Sequence, residues 1–118
     1  MLKYPTFGAA LLTFSVSVQA GDYVEFDPTK EDRLIAHSVD TRIAFRVEVC
    51  APKNAPLILW IHDGSQFKDA VIAEAQCPEF VGFNFTVKRI VDIGGLHGRE
   101  KTAPARYRII ETVKMNAN

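Results

Sequence analysis

The alternation of apolar and polar residues with a period of two is the feature that most constrains this chain. Between Thr41 and Cys50, one face of an extended backbone carries Ile43, Phe45, Val47 and Val49, and the other carries Arg42, Ala44, Arg46 and Glu48. This alternation predicts a half-buried β-strand. Similar segments recur along the chain, separated by turns rich in proline, glycine and asparagine, which favours an all-β fold.

Further strands are predicted at Tyr23–Phe26, Leu34–Val39, Leu57–His62, Gln66–Gln76, Phe80–Val91 and Arg106–Met115. Leu57–His62 is apolar at almost every position, which predicts a central strand that is covered on both faces. Gln66–Gln76 also fits a short helix, but its neighbours are strands and Cys77-Pro78 follows it, which favours a strand. The adjacent Ile109 and Ile110 predict a β-bulge.

Together these segments predict an antiparallel β-sandwich, jelly-roll-like, with six or seven short strands. The sequence shows neither an internal repeat nor a low-complexity tract. Residues 21–118 are therefore predicted to form a single domain.

The first twenty residues have the arrangement of a secretory signal peptide. Lys3 supplies a positive start, Gly8–Val18 is uncharged and largely apolar, and Val18-Gln19-Ala20 offers small residues for cleavage. The apolar run is too short for a stable membrane span. We therefore expect residues 1–20 to be removed, no membrane span in the mature chain, and a secreted or periplasmic location.

Two cysteines, Cys50 and Cys77, lie 27 positions apart in the mature part of the chain. Export predicts that they form a disulfide, because oxidising compartments preserve such bonds. A loop of this length removes about 3–4 kcal/mol of denatured-state entropy when it is closed. The alternative interpretation is a pair of buried free thiols.

The charge balance of the mature chain gives no reason to expect a nucleic acid or an anionic membrane as a partner. Loss of Lys3 leaves 13 basic and 14 acidic residues among the remaining 98. Proteins that bind either partner usually carry an excess of Lys and Arg. A basic group consisting of Arg99, Lys101, Arg106 and Arg108 is instead predicted to contact an acidic partner or to protect an exposed strand.

No catalytic arrangement is recognisable in the sequence. Ser65 lies three residues from His62, but adjacent loop residues rarely adopt the geometry of a catalytic triad. The segment Pro56–Phe67 resembles the oxyanion-hole strand of α/β-hydrolases, yet the chain lacks the G-x-S-x-G nucleophile motif of those enzymes. We therefore predict a protein that is not an enzyme and uses no cofactor.

Metal binding is the main alternative function. His37, His62 and His97 could supply three imidazole ligands, although none of them forms a close pair in the sequence. Five carboxylates between Asp22 and Asp32 match no calcium-binding loop and are read as a solvated acidic segment. Asn84-Phe85-Thr86 is a glycosylation sequon, the use of which depends on the host.

The strands also resemble the secreted bacterial pre-peptidase C-terminal β-sandwich domains. The matching segments are Tyr23–Phe26, the alternating strand Ile43–Val49, the strand and turn Leu57–Gly64, and Tyr107-Arg108-Ile109. In place of the glycine that usually precedes the closing tyrosine of that family, this chain has Arg106. The resemblance implies a non-catalytic accessory or binding module.

These observations lead us to expect a small exported binding protein. Its predicted partner is an extracytoplasmic protein, a peptide or an envelope polymer, and one version of this function is the inhibition of a hydrolase. The glycine-containing loop Asp92–Ala103 is large enough to present a contact surface.

Overall fold

A computed structural model describes residues 21–91 and 101–115 of the chain. The predicted signal peptide, His97 and Arg99 lie outside these ranges. The strands are β1 (Val24–Phe26), β2 (Arg33–His37), β3 (Ile43–Cys50), β4 (Leu57–His62), β5 (Phe67–Ile72), β6 (Glu79–Gly82), β7 (Asn84–Val87) and β8 (Ala105–Lys114). Within the described ranges, no helix is long and apolar enough to cross a membrane.

The eight strands form two antiparallel four-stranded sheets, which confirms the predicted fold class. The first sheet has the order β1-β8-β3-β6 and the second has the order β2-β7-β4-β5. Each of the pairs β1–β8, β2–β7, β3–β6 and β4–β5 is antiparallel. This nested pairing is that of one long hairpin rolled into two layers, and the resulting strand order is that of a jelly roll.

The core lies between the two sheets and consists of the inward-facing residues of both. The first sheet contributes Phe26, Val47, Val49 and Ala105, and the second contributes Ile35, Leu57, Leu59, Ile61, Ile72, Phe85 and Val87. Period-two alternation places these side chains on one face of each strand. The strand predicted at Tyr23–Phe26 is confirmed as β1, and the structure places it at one edge of the first sheet.

One of the predicted strands is wrong, because the structure divides it into two strands. The segment predicted as a single strand, Phe80–Val91, divides into β6 in the first sheet and β7 in the second. Phe83 lies where the chain passes from the first sheet to the second. Its N–H donates a hydrogen bond to the His62 carbonyl, and its own carbonyl accepts one from the Ser38 N–H. The rolled hairpin requires this crossing because β6 pairs with β3 whereas β7 pairs with β2 and β4.

Gly82 permits the crossing from β6 to β7. A Cβ atom at this position would lie 2.9 Å from the Ile61 Cγ2 atom, 3.1 Å from the His62 carbonyl oxygen and 3.2 Å from the Phe85 Cζ atom. These distances are shorter than an ordinary van der Waals contact. The absence of a side chain at residue 82 therefore allows the two sheets to approach each other at this corner.

Two other local predictions are confirmed. The ambiguous segment after Ser65 forms strand β5, although it ends at Ile72 and not at Gln76. The register of β8 against β3 shifts between Ile109 and Glu111, which is the expected bulge. In contrast, Val39 lies beyond the end of β2 and is 91% exposed.

The disulfide between Cys50 and Cys77 is present in the structure. It joins the end of β3 to the segment that precedes β6. Backbone hydrogen bonds flank it on both sides, from the Val49 N–H to the Pro78 carbonyl and from the Ala51 N–H to the Gln76 carbonyl. The bond therefore reinforces the β3–β6 pairing of the first sheet.

Candidate functional site

The two outer faces of the sandwich differ in chemical character. The outer face of the first sheet, the charged face, carries Tyr23, Arg46, Glu48, Glu79, Arg106, Arg108 and Glu111. The outer face of the second sheet carries five large apolar side chains, Leu34, Ile58, Trp60, Phe67 and Val71, which we name the apolar face.

Glu48 is the centre of the charged face. Of the residues that the structure describes, Glu48 is the one charged residue that is buried, with 8% of its surface exposed. Its Oε1 atom accepts a hydrogen bond from Arg108 Nε at 2.5 Å and another from the Tyr23 hydroxyl at 2.9 Å. The hydrogen bond to Glu48 raises the pKa of Arg108 above its ordinary value. A buried carboxylate needs such partners to offset its lost hydration.

Two guanidinium groups lie against the Tyr23 ring. The Arg106 Cζ atom is 4.6 Å from the ring centroid, and the Arg108 Cζ atom is 4.7 Å from it. Both distances are within the range of cation–π attraction. Nearby, Arg46 Nε bonds Glu111 at 2.7 Å, and a second Arg46 nitrogen lies 3.8 Å from Glu79.

Of the predicted contact residues that the structure describes, Arg106 and Arg108 have side chains that are engaged within the fold. Arg106 and Arg108 lie together on the charged face, where both stack on Tyr23. Lys101 lies in the segment before β8, and its carbonyl accepts a hydrogen bond from Asn54 at 2.8 Å. Contact between these basic residues and an acidic partner stays a prediction.

The disulfide forms part of the wall of a cavity of about 290 Å³ at one end of the charged face. The remaining lining residues are Ala51, Lys53, Ala75, Ala103, Pro104 and Arg106. Cys50 is 2% exposed, whereas Cys77 is exposed. Glu48 Oε2 lies 3.9 Å from Cys50 Sγ, and an Arg106 nitrogen lies 4.0 Å from Cys77 Sγ.

The apolar face corrects one prediction from the sequence. Strand β4 was predicted to be covered on both sides, but only Leu57, Leu59 and Ile61 are buried. Ile58 and Trp60 point away from the core, because a sandwich of two sheets covers only the inner face of each. The uninterrupted apolar run thus consists of one core row and one surface row.

Cross-strand pairing gathers the apolar face from strands β2, β4 and β5, with Thr86 of β7 between Leu34 and Trp60. Ile58 is in register with Val71, Trp60 and Leu34 are both in register with Thr86, and Phe67 pairs with His62. The exposed fraction of the five members ranges from 42% for Trp60 to 73% for Val71. Asp69 lies between Phe67 and Val71 on this face, so the apolar side chains form a cluster that includes one carboxylate. A group of exposed large apolar side chains on one face is typical of a site of interaction.

Polar neighbours hold the aromatic side chains of the apolar face in place. Lys88 Nζ lies 3.8 Å from the centroid of the Trp60 ring and also bonds Asp32 at 2.9 Å. The Phe67 ring packs edge-on against His62 with 4.7 Å between centroids. These contacts restrict both aromatic side chains before any partner is bound.

The histidines predicted as metal ligands are only partly brought together. His37 and His62 are each in register with Asn84, on opposite sides of β7. His62 Nδ1 accepts a hydrogen bond from the Gly64 N–H at 3.2 Å. Within residues 21–91 and 101–115, the one group of three potential ligands with donor atoms within 4.8 Å of one another is Glu48, Cys50 and Cys77. A site that includes His97 stays a prediction.

Ser65 and Asp63 form a tight turn between β4 and β5. Asp63 Oδ1 accepts hydrogen bonds from the backbone N–H groups of Ser65 and Gln66, at 3.0 and 3.1 Å, and from the Ser65 hydroxyl at 2.9 Å. These bonds lower the pKa of Asp63 to about 2. The Ser65 hydroxyl therefore closes a turn at the tip of the hairpin.

The acidic segment also takes part in local structure. Asp27 accepts hydrogen bonds from the backbone N–H and the hydroxyl of Thr29, and Asp32 accepts from Lys88 and from the Arg89 N–H. In each case these hydrogen bonds lower the pKa of the carboxyl group. Asn84, the acceptor of the sequon, lies within β7, and its Oδ1 atom is buried without a hydrogen-bond partner.

No protein-family model, curated protein or solved structure matches this chain. The resemblance to pre-peptidase C-terminal domains therefore stays a prediction.

Proposed function

We propose that this protein is a small exported, non-enzymatic binding or accessory module that uses its apolar face to contact a partner. The partner is an extracytoplasmic protein, a peptide or an envelope polymer. One observation carries this proposal: five large apolar side chains share one outer face of the sandwich, while the other outer face is occupied by paired charges.

Burial of the apolar face would supply the driving force for binding. Removal of apolar surface from water gains about 25 cal/mol for each Å² that is buried. Trp and other large side chains near the centre of an interface commonly supply most of its binding energy. Trp60 has both properties, because it lies between Ile58 and His62 on the central strand β4 and its indole is the only one in the chain.

The rigidity of the apolar face supports a role in recognition. Four of its five members belong to a single β-hairpin, β4–β5, whose six residue pairs are in continuous register. A surface built on a sheet loses little conformational entropy when a partner binds. The disulfide and the charged face stabilise the opposite sheet of the same sandwich.

Serine substitutions on the two faces test the proposal. We expect Trp60→Ser and Phe67→Ser to reduce retention of the protein on isolated envelope material by about tenfold or more, which is the loss typical of an interface hot spot. Val81→Ser is the matched control, because Val81 is an exposed apolar residue on the outer face of the first sheet. Retention of the control variant should equal that of the wild type.

Trp60→Phe separates loss of contact from loss of folding. This variant keeps an aromatic ring on the apolar face, and we expect it to retain most of the binding. Circular dichroism of each variant establishes that the sheets are intact. Equal retention of the wild type and of Trp60→Ser, with retention lost when residues 94–99 are deleted, would assign binding to the predicted loop and reject the apolar face.

A further inference from the structure

Beyond this binding role, we propose that reduction of the Cys50–Cys77 disulfide creates a zinc-type metal site formed by both thiolates and Glu48. The donor atoms of these three residues lie within 4.8 Å of one another. Thiolate and carboxylate ligands are both used by Zn²⁺ in proteins, with metal–ligand distances of about 2.0–2.3 Å.

The distance between Glu48 and Cys50 suits a shared ion. Glu48 Oε2 lies 3.9 Å from Cys50 Sγ. Two ligands of a tetrahedral zinc ion are about 3.5–3.8 Å apart when the bond lengths have their usual values. Reduction breaks the bond between Cys77 Sγ and Cys50 Sγ. If the two sulfur atoms then move apart to a distance like that between Glu48 Oε2 and Cys50 Sγ, the three ligand atoms occupy three corners of a tetrahedron around the ion.

The surroundings of Glu48 orient it toward this position. Arg108 and the Tyr23 hydroxyl both bond Oε1, and the other oxygen, Oε2, faces Cys50. Outer hydrogen bonds of this kind fix the direction of a metal-ligating carboxylate. Glu48 is also buried, so its carboxylate is held in place before an ion arrives.

The local charge is compatible with a divalent ion. Two thiolates and one carboxylate carry three negative charges, and a divalent ion neutralises two of them. An Arg106 nitrogen lies 4.0 Å from Cys77 Sγ and Arg108 pairs with Glu48. Both guanidinium groups stabilise the negative ligands but also repel a bound cation, so the bonds from the thiolates must outweigh this repulsion.

Solvent reaches the proposed site from the side of Cys77. Cys77 is exposed, and both cysteines line the cavity of about 290 Å³, which leaves room for water as a fourth ligand. A dithiol reductant would transfer two electrons and two protons to the disulfide and would itself become a disulfide. Binding of the metal ion would then release the two thiol protons.

Cobalt titration of the reduced protein tests the proposal. The full chain is reduced with a phosphine, freed of reductant without oxygen and titrated with Co²⁺, whose bonds to thiolates give near-ultraviolet charge-transfer bands. We expect one Co²⁺ per chain in the reduced protein, displacement by Zn²⁺ and no bands in the oxidised protein. The Glu48→Gln variant should bind Co²⁺ at least about tenfold more weakly.

Glu79→Gln is the matched control. Glu79 is in register with Glu48 on the neighbouring strand, but it is not one of the three clustered ligands. This variant should bind Co²⁺ as tightly as the wild type. Bands of equal strength in wild type and Glu48→Gln would contradict the proposal, as would the absence of bands in the reduced wild type. A reduced protein that lacks a β-sheet circular dichroism spectrum, and does not regain it with Co²⁺, would also contradict it.

Discussion

At the scale of single residues, Asp63 shows how one side chain closes the tip of the rolled hairpin. Its carboxylate accepts three hydrogen bonds from Ser65 and Gln66, which lower its pKa from 3.8 to about 2. Because the pKa is lower in the folded than in the unfolded state, the charged form stabilises the fold above pH 4. This contribution is lost as the pH falls from about 4 to about 2.

Unfolding midpoints measured in urea between pH 2 and pH 6 test the role of Asp63. We expect Asp63→Asn to be less stable than the wild type at pH 6 and to show a weaker pH dependence below pH 4, since the titrating carboxyl group is gone. Ser65→Ala removes one of the three hydrogen bonds and should raise the pKa of Asp63 part of the way. An NMR titration that gives Asp63 an ordinary pKa in the wild type would refute this interpretation.

At the scale of elements, the sequence predicted strands more reliably than it predicted their partners. Alternation identified β3, and the adjacent Ile109 and Ile110 identified the bulge in β8. Alternation cannot show where a chain leaves one sheet for another, because the period is unchanged across Phe83. Gly82 was the available signal, since a glycine within a strand pattern often marks a close approach of two segments.

The apolar face was missed for a related reason. A run such as Leu57–His62 is typical of a strand buried on both faces, but it is equally compatible with one buried and one exposed apolar row. Phe67 and Val71 of β5 lie on the same face of the sheet as Trp60 and Ile58 of β4. This shared face shows that the row of exposed apolar side chains continues from β4 into β5. Only the number of layers in the fold decides between the two arrangements.

A substitution at Gly82 tests the corner between β6 and β7. We expect Gly82→Ala to lower the free energy of unfolding by about 1–3 kcal/mol, the usual cost of overpacking. Gly21→Ala is the control, because the nearest atom to its added Cβ would be the Ile109 carbonyl oxygen at 3.4 Å. Chemical denaturation of both variants makes the comparison, and equal stability of Gly82→Ala and wild type would show that the corner is not closely packed.

At the scale of the whole molecule, the disulfide supports a sandwich with a small core. Its closed loop contains β4 and β5 entirely and spans 27 positions. We expect Cys50→Ser to lower the free energy of unfolding by about 3–4 kcal/mol under oxidising conditions, because the unfolded chain gains entropy. In a reductant, wild type and variant should melt at similar temperatures. Equal melting temperatures in air would show that the bond does not stabilise the fold.

The contrast between the two outer faces is also a property of the whole molecule. The rolled hairpin places β4 and β5 in one sheet and the Glu48 network in the other, so the apolar and charged surfaces face opposite directions. Neither surface was predicted as a unit, since each is assembled from strands that are distant in the sequence. The basic residues Arg106 and Arg108 were identified, but their partner Glu48 lies sixty positions from Arg108.

The most direct test of the binding proposal is site-specific photocross-linking in the native host. A photoreactive phenylalanine analogue replaces Val71 on the apolar face or Val81 on the charged face, both of which are exposed. We predict a discrete cross-linked product, to the same partner in repeated experiments, from position 71 and none from position 81. Products from position 81 alone, or identical products from both positions, would contradict the assignment of the apolar face as the binding surface.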